Sequence, residues 1–248
     1  MFVHNPAKMN DCNPALHFPK LLNVRDLGGH PTVDGRLTHR RSLLRSDDLA
    51  QLTPAGVRAL ADYGLETVLD LRWPEEIALW PSPVSRIPGL HYAPVSLLAE
   101  SPSQWRELSG GCAKEQWKCA VLEHLRPQLR LALGVIAAAP GGPLLFHCVA
   151  GKDRTGLIAA LLLALADAVP EAIAADYAAS AECLREAYLG RYADSDPEAI
   201  IEAVRCPEEG VYNMLAYLET RGGVRPYLQT IGLDAAQIDR LRARLRPG

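Results

Sequence analysis

The chain has 248 residues, of which 48% are hydrophobic, and it carries a formal net charge of −3. This length is enough for one large domain with a substantial buried core. Because no basic excess exists to neutralise phosphates, the whole chain gives no reason to expect a nucleic-acid partner or a membrane surface, and any anion site must be local.

The N-terminal part of the chain is predicted to be an arm over residues 1–20, rich in Asn and Pro. No internal repeat or long linker follows, so residues 21–248 are expected to form a single domain. Arg and Leu partly alternate over residues 35–46, after an Asp34-Gly35 turn, which predicts a short hairpin or an edge strand.

A helix and two strands are predicted next. Thr53 supplies a capping hydroxyl, Pro54 suits a first helical position, and Gly64 marks the helix end. Residues 67–71 are β-rich and nearly all apolar, as expected for a strand covered on both faces. Residues 91–95 form a weaker second strand.

The second half of the chain is mostly helical in pattern. Residues 114–139 have helical spacing divided by Pro127, residues 144–146 form the central strand, and residues 155–166 form an apolar helix. The residues beyond Val169 are predicted to form further helices. Strands alternating with helices predict an α/β fold, with a central, largely parallel sheet flanked by helices and an all-helical C-terminal part.

Targeting and metal signals are weak in this chain. The first 20 residues lack an apolar core of signal-peptide length, and the longest apolar stretch is roughly half of what a bilayer crossing needs. We therefore expect no transmembrane segment and a cytoplasmic location, with export without a cleaved signal left open. The six cysteines are scattered without metal-binding spacing, so neither a metal nor a cofactor is expected: Cys12, Cys112, Cys119, Cys148, Cys183 and Cys206.

The segment His-Cys-Val-Ala-Gly-Lys-Asp-Arg-Thr-Gly at residues 147–156 joins the central strand to the apolar helix. A strand, a glycine-containing turn and a helix N-terminus aim backbone N–H groups and a helix dipole at one point, which makes an anion cradle. A cysteine at the first position of such a cradle is stabilised as its thiolate. Cys148 is therefore the predicted nucleophile.

Other side chains of this loop suit phosphoryl transfer. Arg154 offers two parallel N–H bonds to phosphoryl oxygens, in a planar geometry that lysine lacks. Thr155 is predicted to hydrogen-bond the Cys148 sulfur, and His147 to orient the loop. The predicted substrate-binding residues, which would hold a phosphate or another oxyanion, are Val149, Ala150, Gly151, Lys152, Asp153 and Arg154.

Residues 147–156 contain His-Cys, then five residues, then Arg and Thr-Gly. This pattern resembles the signature of the protein tyrosine phosphatase superfamily. The version Ala-Gly-Lys-Asp-Arg-Thr-Gly is similar to a bacterial tyrosine-phosphatase subfamily whose members also resemble phosphoinositide phosphatases. Further blocks are similar in the same order, at residues 23–29, 44–47, 68–72, 175–177 and 227–228. The resemblance implies a cysteine-phosphatase fold and metal-independent hydrolysis of phosphomonoesters through a phosphocysteine, in a protein-tyrosine or dual-specificity phosphatase.

The position of the general acid in this sequence differs from the superfamily pattern. Many members place an aspartate on a separate loop after the second strand, whereas residues 94–111 contain only Glu100 and Glu107 as carboxylates. Relatives with Lys-Asp in the loop imply that Asp153 is the acid; the alternative is that Asp153 caps the helix or pairs with Arg25 or Arg72. The Lys152 charge suits phosphoinositides, polyanionic substrates or phosphopeptides.

Three charged residues outside the loop are candidates for support. Asp70 and Arg72 follow a predicted strand at its carboxyl end, where α/β sites gather, and are equally consistent with active-site support and with a structural ion pair. Asp26 is similar.

Several competing functions remain open. The substrate is a phosphorylated protein or a phosphoinositide. A catalytically silent phosphate-binding module would use the same cradle, but the intact Cys148 and Arg154 disfavour it. A rhodanese-like sulfur transferase is disfavoured by Arg followed by Thr-Gly, and arsenate reduction requires a second cysteine close in space.

Overall fold

The computed structural model describes residues 16, 18–98 and 101–246, and over these it contains a five-stranded sheet in the order β1-β2-β5-β3-β4. β1 is antiparallel to β2, and the other pairs are parallel. The strands are β1 (Arg25–Asp26), β2 (Leu43–Ser46), β3 (Thr67–Asp70), β4 (His91–Pro94) and β5 (Leu144–His147). The predicted largely parallel sheet, with β5 at its centre, is confirmed.

Helices cover both faces of this sheet. Their bounds are α1 (Pro54–Tyr63), α2 (Pro74–Leu79), α3 (Pro102–Ser109), α4 (Trp117–His124), α5 (Arg126–Ala138), α6 (Asp153–Leu165), α7 (Pro170–Arg191), α8 (Pro197–Val204), α9 (Glu209–Glu219), α10 (Val224–Thr230) and α11 (Ala235–Leu245). After β5, the described residues are helical apart from short connections, as predicted.

The side-chain alternation of the strands divides the core into two layers. Leu145 points to the layer that contains Leu60 of α1, whereas Leu144 and Phe146 point to the larger layer that contains α5 and α6. Successive side chains of a strand face opposite sides, so the apolar run Leu144-Leu145-Phe146 supplies buried side chains to both layers. All four residues of β5 are buried.

The ends of the helices agree with their predicted signals. Thr53 accepts a hydrogen bond from the Gly56 amide, and Gly64 ends α1 in the left-handed conformation. The predicted division at Pro127 is present, because α4 ends at His124 and Pro127 lies in the first turn of α5.

Of the two alternatives predicted for residues 35–46, the hairpin at the Asp34-Gly35 turn is present, and the edge strand is wrong. A tight turn with Gly35 in the left-handed region does bring Pro31 and Leu37 into an antiparallel bridge. The strand that follows, however, is β2, which lies between β1 and β5. Leu43 and Leu44 are buried in opposite layers, which accounts for its interior position.

The predicted arm lies mostly outside the described residues. Only residues 16 and 18–20 of it are described, and Leu16 and Phe18 are buried in the layer that contains α1. Among the described helices, none is both long enough and apolar enough to span a bilayer.

Candidate active site

The loop at residues 148–152 connects β5 to α6 at the carboxyl edge of the parallel strands, as predicted. Cys148 directly follows the central strand and is only 3% exposed. α6 begins at Asp153 and is 13 residues long, so its positive end faces the loop.

Four successive carbonyl groups of the loop are hydrogen-bonded from the surrounding scaffold or from α6. The pairs are Asp48 N–H to Val149 O (2.9 Å), Asn23 Nδ2 to Ala150 O (2.9 Å), Arg45 Nη2 to Gly151 O (2.7 Å) and Gly156 N–H to Lys152 O (2.7 Å). The amides of residues 149–154 donate to no acceptor within the described part of the chain. With the carbonyls held in this way, these amides remain available to an anion.

Gly151 fits a position where no side chain does. Its φ is +64°, and a Cβ there would lie 2.5 Å from the carbonyl oxygen of Ser46 and 2.6 Å from the amide nitrogen of Asp47. Both are backbone atoms at the end of β2, so neither can easily shift to make room for a side chain. The glycine therefore lets the loop approach β2 closely.

We expect Gly151→Ala to weaken vanadate binding by about 10²-fold, because a displacement of about 1 Å is enough to misplace the amides. Calorimetric titration with vanadate measures this. Gly64→Ala is the matched control, since Gly64 has φ +86° and no atom within 4 Å of its would-be Cβ. Equal vanadate affinity in wild type and Gly151→Ala would show that the close approach is not needed.

A buried ionic network lies beneath the loop. Arg45, which is fully buried, donates to Gly151 O and to the Asp176 carboxylate, and Arg25 Nε donates to Asp176 Oδ1 at 3.1 Å. Burial disfavours the ionised form of Asp176, but Arg45 and Arg25 outweigh it and hold the pKa of Asp176 below its usual value. The network joins the sheet, α7 and the loop. Sequence reasoning did not assign these residues, although Arg45 and Asp176 lie in blocks of the resemblance.

Glu76 fixes the guanidinium of Arg154. Arg154 Nη1 and Nη2 donate to the two Glu76 oxygens at 2.6 and 2.9 Å, and the ring of Trp73 lies 4.8 Å from the guanidinium carbon. Burial lowers the pKa of Arg154, but the charges of Cys148 and Glu76 outweigh it and raise it. Nη2 carries a second N–H, and within the described residues neither this group nor the Nε–H beside it has a partner. This edge of the guanidinium suits a phosphoryl group bound through two parallel bonds.

His147, Asp70 and Arg72 form a fully buried group beside the first residue of the loop. His147 Nδ1 lies 3.2 Å from the Cys148 carbonyl oxygen and Nε2 lies 3.5 Å from Asp70 Oδ2. Burial lowers the pKa of His147, so its neutral form is favoured. The ring thus contacts the first residue of the loop through Nδ1 and lies beside Asp70 through Nε2.

Asp70 and Arg72 combine the two alternatives that the sequence left open. Arg72 forms an ion pair with Asp70 at 2.7 Å and also donates to Asp48 at 3.0 Å. Asp48 in turn donates its amide to the Val149 carbonyl. The pair is therefore structural, and it supports the loop through Asp48 without entering it.

Asp26 does not reach the loop. Its oxygens accept from the amides of Gly28 at 2.8 Å and Arg41 at 2.7 Å. Because β1 runs antiparallel to β2, the chain after Asp26 leads away from the carboxyl edge where Cys148 lies. Its predicted role as an active-site support is therefore corrected, because its carboxylate holds backbone amides away from the loop.

Thr155 does not form the hydrogen bond predicted for it. Its hydroxyl is buried and has no hydrogen-bond partner within the described part of the chain, the Cys148 sulfur included. α6 starts at Asp153, two residues before the predicted helix start, so Thr155 lies further inside the first helical turn.

The ammonium of Lys152 is already engaged. Its Nζ donates to the Ala203 carbonyl at 2.7 Å and lies 3.4 Å from Asp153 Oδ2, and the residue is 7% exposed. The predicted free positive charge at the mouth is thus partly used to hold α8. This weakens the argument that Lys152 selects polyanionic substrates.

The side chain of Asp153 is 45% exposed, and its Oδ1 accepts from the Tyr177 hydroxyl at 2.8 Å. The alternative pairings suggested for it are excluded, because Arg25 is paired with Asp176 and Arg72 with Asp70. Of the other carboxylates considered, Glu100 lies outside the described residues and Glu107 belongs to α3, where it is exposed.

The described residues contain no cluster of three or more His, Cys, Asp or Glu side chains placed to hold an ion.

Comparison with known proteins gives consistent results. The family model described as the tyrosine phosphatase family matches residues 16–247. A tyrosine-protein phosphatase of Nostoc commune is 35% identical over 82% of this chain and 74% of its own length. The triple specificity protein phosphatase PtpB of Mycobacterium tuberculosis is 27% identical over 90% of this chain and 96% of its own.

Among solved structures, P. aeruginosa TpbA aligns with a TM-score of 0.32 and 20% identity, over 67% of this chain and 89% of that one. The extent of the family match confirms the resemblance seen in the loop and in the upstream blocks. The chain belongs to the tyrosine phosphatase family and is a phosphatase.

Proposed function

We propose that the protein hydrolyses phosphomonoesters in two steps through a phosphocysteine on Cys148, as a protein-tyrosine or dual-specificity phosphatase. The observation that carries this proposal is the ring of unpaired amides at residues 149–154, which starts at Cys148 and ends at the fixed guanidinium of Arg154. A nucleophile, an anion cradle and a bidentate cation are the parts that phosphoryl transfer requires.

In the first step, the Cys148 thiolate forms a bond to phosphorus, and the bond from phosphorus to the leaving oxygen breaks. The amides and the free edge of Arg154 neutralise the charge on the equatorial oxygens, and Asp153 gives its proton to the leaving oxygen. In the second step, water attacks phosphorus, its proton passes to the Asp153 carboxylate, and Cys148 leaves as thiolate. The products are an alcohol or phenol and inorganic phosphate.

The choice of Asp153 as the acid follows from which carboxylates are free. Glu76 also lies at the site, but its oxygens are bound to Arg154 and to the amide of Trp73. Asp153 is half exposed beside Arg154, and among the described residues its Oδ2 is paired only with Lys152, at 3.4 Å. It is the carboxylate best placed to exchange a proton with a substrate.

We expect Asp153→Asn to lower kcat by about 10²-fold for phenyl phosphate and much less for 2,4-dinitrophenyl phosphate, whose leaving group needs no proton. Steady-state kinetics on both substrates measures this. Asp167→Asn is the control, because Asp167 is 44% exposed and lies beyond the far end of α6. Equal losses on both substrates would make Asp153 a structural residue.

The substrate class is proposed as phosphotyrosyl proteins, with phosphoinositides as the alternative. The Nostoc relative is named a tyrosine-protein phosphatase, and PtpB a triple specificity phosphatase. A panel of phosphotyrosyl peptide, phosphoseryl peptide and phosphoinositide, run on wild type and Cys148→Ser, tests this choice. Faster turnover of the phosphoinositide than of the phosphotyrosyl peptide would reverse it.

The organisation and location of the protein are part of the same proposal. Residues 21–248 act as one cysteine-dependent phosphatase domain, with residues 1–20 as an arm in front of it. A cytoplasmic location is part of this proposal, since the six cysteines lie scattered along the sequence without the density of a secreted disulfide scaffold.

A further inference from the structure

A lysine and a tyrosine outside the loop are stacked behind Asp153. Tyr177 of α7 donates its hydroxyl to Asp153 Oδ1 at 2.8 Å, and the Nζ of Lys118, from α4, lies 3.2 Å from the centre of the Tyr177 ring. Both residues are almost fully buried, at 2% and 1% exposure. Residues of α4, α6 and α7 thus meet around the Tyr177 side chain.

The position of Tyr177 is set by close packing against the helix that carries Asp153. A Cβ on Gly156 would lie 2.7 Å from the Tyr177 ring, so the glycine leaves room for that ring one turn beyond Asp153. Tyr177 also neighbours Asp176, which anchors the network beneath the loop. The hydroxyl is therefore fixed relative to the loop.

The charges make this tyrosine a hydrogen-bond donor. Burial and the Asp153 charge raise the pKa of Tyr177, so its hydroxyl stays protonated. Burial lowers the pKa of Lys118 to about 8, which leaves it mainly charged at neutral pH. A cation over the face of a phenol withdraws electron density from the ring and strengthens the O–H donor.

We propose that Tyr177 and Lys118 are positioning residues for proton transfer, in that they hold Asp153 by its Oδ1 and leave Oδ2 as the oxygen that carries and delivers the proton. This inference rests on the proposed role of Asp153. An oxygen that accepts a hydrogen bond is a poor site for a proton, so the proton belongs on Oδ2. Lys152 Nζ, 3.4 Å from Oδ2, stabilises the carboxylate left after transfer.

The test combines Tyr177→Phe with Asp153→Asn in the full-length chain. We expect Tyr177→Phe to lower kcat for phenyl phosphate by about tenfold, the equivalent of one charge-assisted hydrogen bond, and to leave 2,4-dinitrophenyl phosphate nearly unchanged. In the Asp153→Asn background, the same substitution should have no further effect on either substrate. Lys118→Met should act in the same direction with a smaller loss.

The control for a lost buried hydroxyl is Tyr227→Phe. Tyr227 is 1% exposed and donates to the Leu122 carbonyl at 2.8 Å, without contact to the loop. It should match the loss of stability of Tyr177→Phe without changing the ratio of the two kcat values.

Two results would overturn the inference. One is a Tyr177→Phe enzyme that slows both substrates equally, and the other is an effect that persists undiminished in Asp153→Asn. The proposed function fails differently, since it requires that wild type turn over both substrates and that Cys148→Ser turn over neither.

Discussion

Replacement of Cys148 with serine is expected to lower the turnover of p-nitrophenyl phosphate by about 10⁴-fold or more. A serine hydroxyl is not ionised at neutral pH, and the cradle that stabilises a thiolate gives little help to a neutral hydroxyl. Hydrolysis of p-nitrophenyl phosphate by both proteins at pH 6 to 7 measures the loss. Phosphate binding should persist, because the amides of residues 149–154 and the Arg154 edge are unchanged.

The matched control is Cys206→Ser, since Cys206 is also buried and its thiol donates to the Val204 carbonyl, as a serine would. This variant should keep wild-type turnover. Comparable losses in the two variants would show that serine at a buried cysteine disturbs the fold and would remove the argument for Cys148 as nucleophile. Activity that survives Cys148→Ser and disappears with a chelator would require a metal mechanism instead.

Replacement of Arg154 with lysine should lower kcat/KM by about 10³-fold, although it keeps the positive charge. Lysine has no planar fork, so it cannot bind both Glu76 oxygens and a phosphoryl group along a second edge. Removal of Arg154 also leaves the half-buried Glu76 carboxylate without its partner. Kinetics with p-nitrophenyl phosphate, together with vanadate affinity, separates a loss in catalysis from a loss in binding.

Glu76→Gln tests how much of this effect is orientation. It keeps the size of the side chain and one acceptor oxygen, so we expect a loss of about tenfold, well below that of Arg154→Lys. If Arg154→Lys keeps more than a tenth of wild-type kcat/KM, the bidentate geometry is not essential and the charge alone suffices.

The parts of this molecule that are local in sequence were predicted well. Residues 144–146 of β5 and residues 157–165 of α6 are continuous apolar runs, and the motif at residues 147–156 lies between them. Its chemistry follows from one strand end and one helix start. The same holds for α1, where Thr53 and Gly64 supply both ends.

The contacts that the sequence did not predict join distant parts of the chain. Glu76 and Arg154 are 78 residues apart, and the Arg45 bond to Gly151 spans 106 residues. No periodicity connects such residues, since only the parallel arrangement of the strands brings their carboxyl ends together. The resemblance blocks carried a usable signal, because Arg45, Asp176 and Tyr177 all lie within them and meet at the loop.

For Asp26 and Thr155, position in the sequence predicted the wrong side-chain contacts. Asp26 follows a strand as Asp70 does, but β1 runs in the opposite direction, so its end lies away from the loop. Thr155 was placed by its distance along the chain from Cys148, whereas an earlier helix start turns its hydroxyl into a buried position without a partner. Strand direction and helix register decide both cases, and neither is visible in the residue types.

The most direct test of the phosphocysteine claim is rapid-quench kinetics with a ³²P-labelled aryl phosphate. Wild type should show a burst of phenol matched by label on the peptide that contains Cys148, and Cys148→Ser should show neither. Steady phenol release from wild type with no label on the protein at any time, or label on a different residue, would contradict the account.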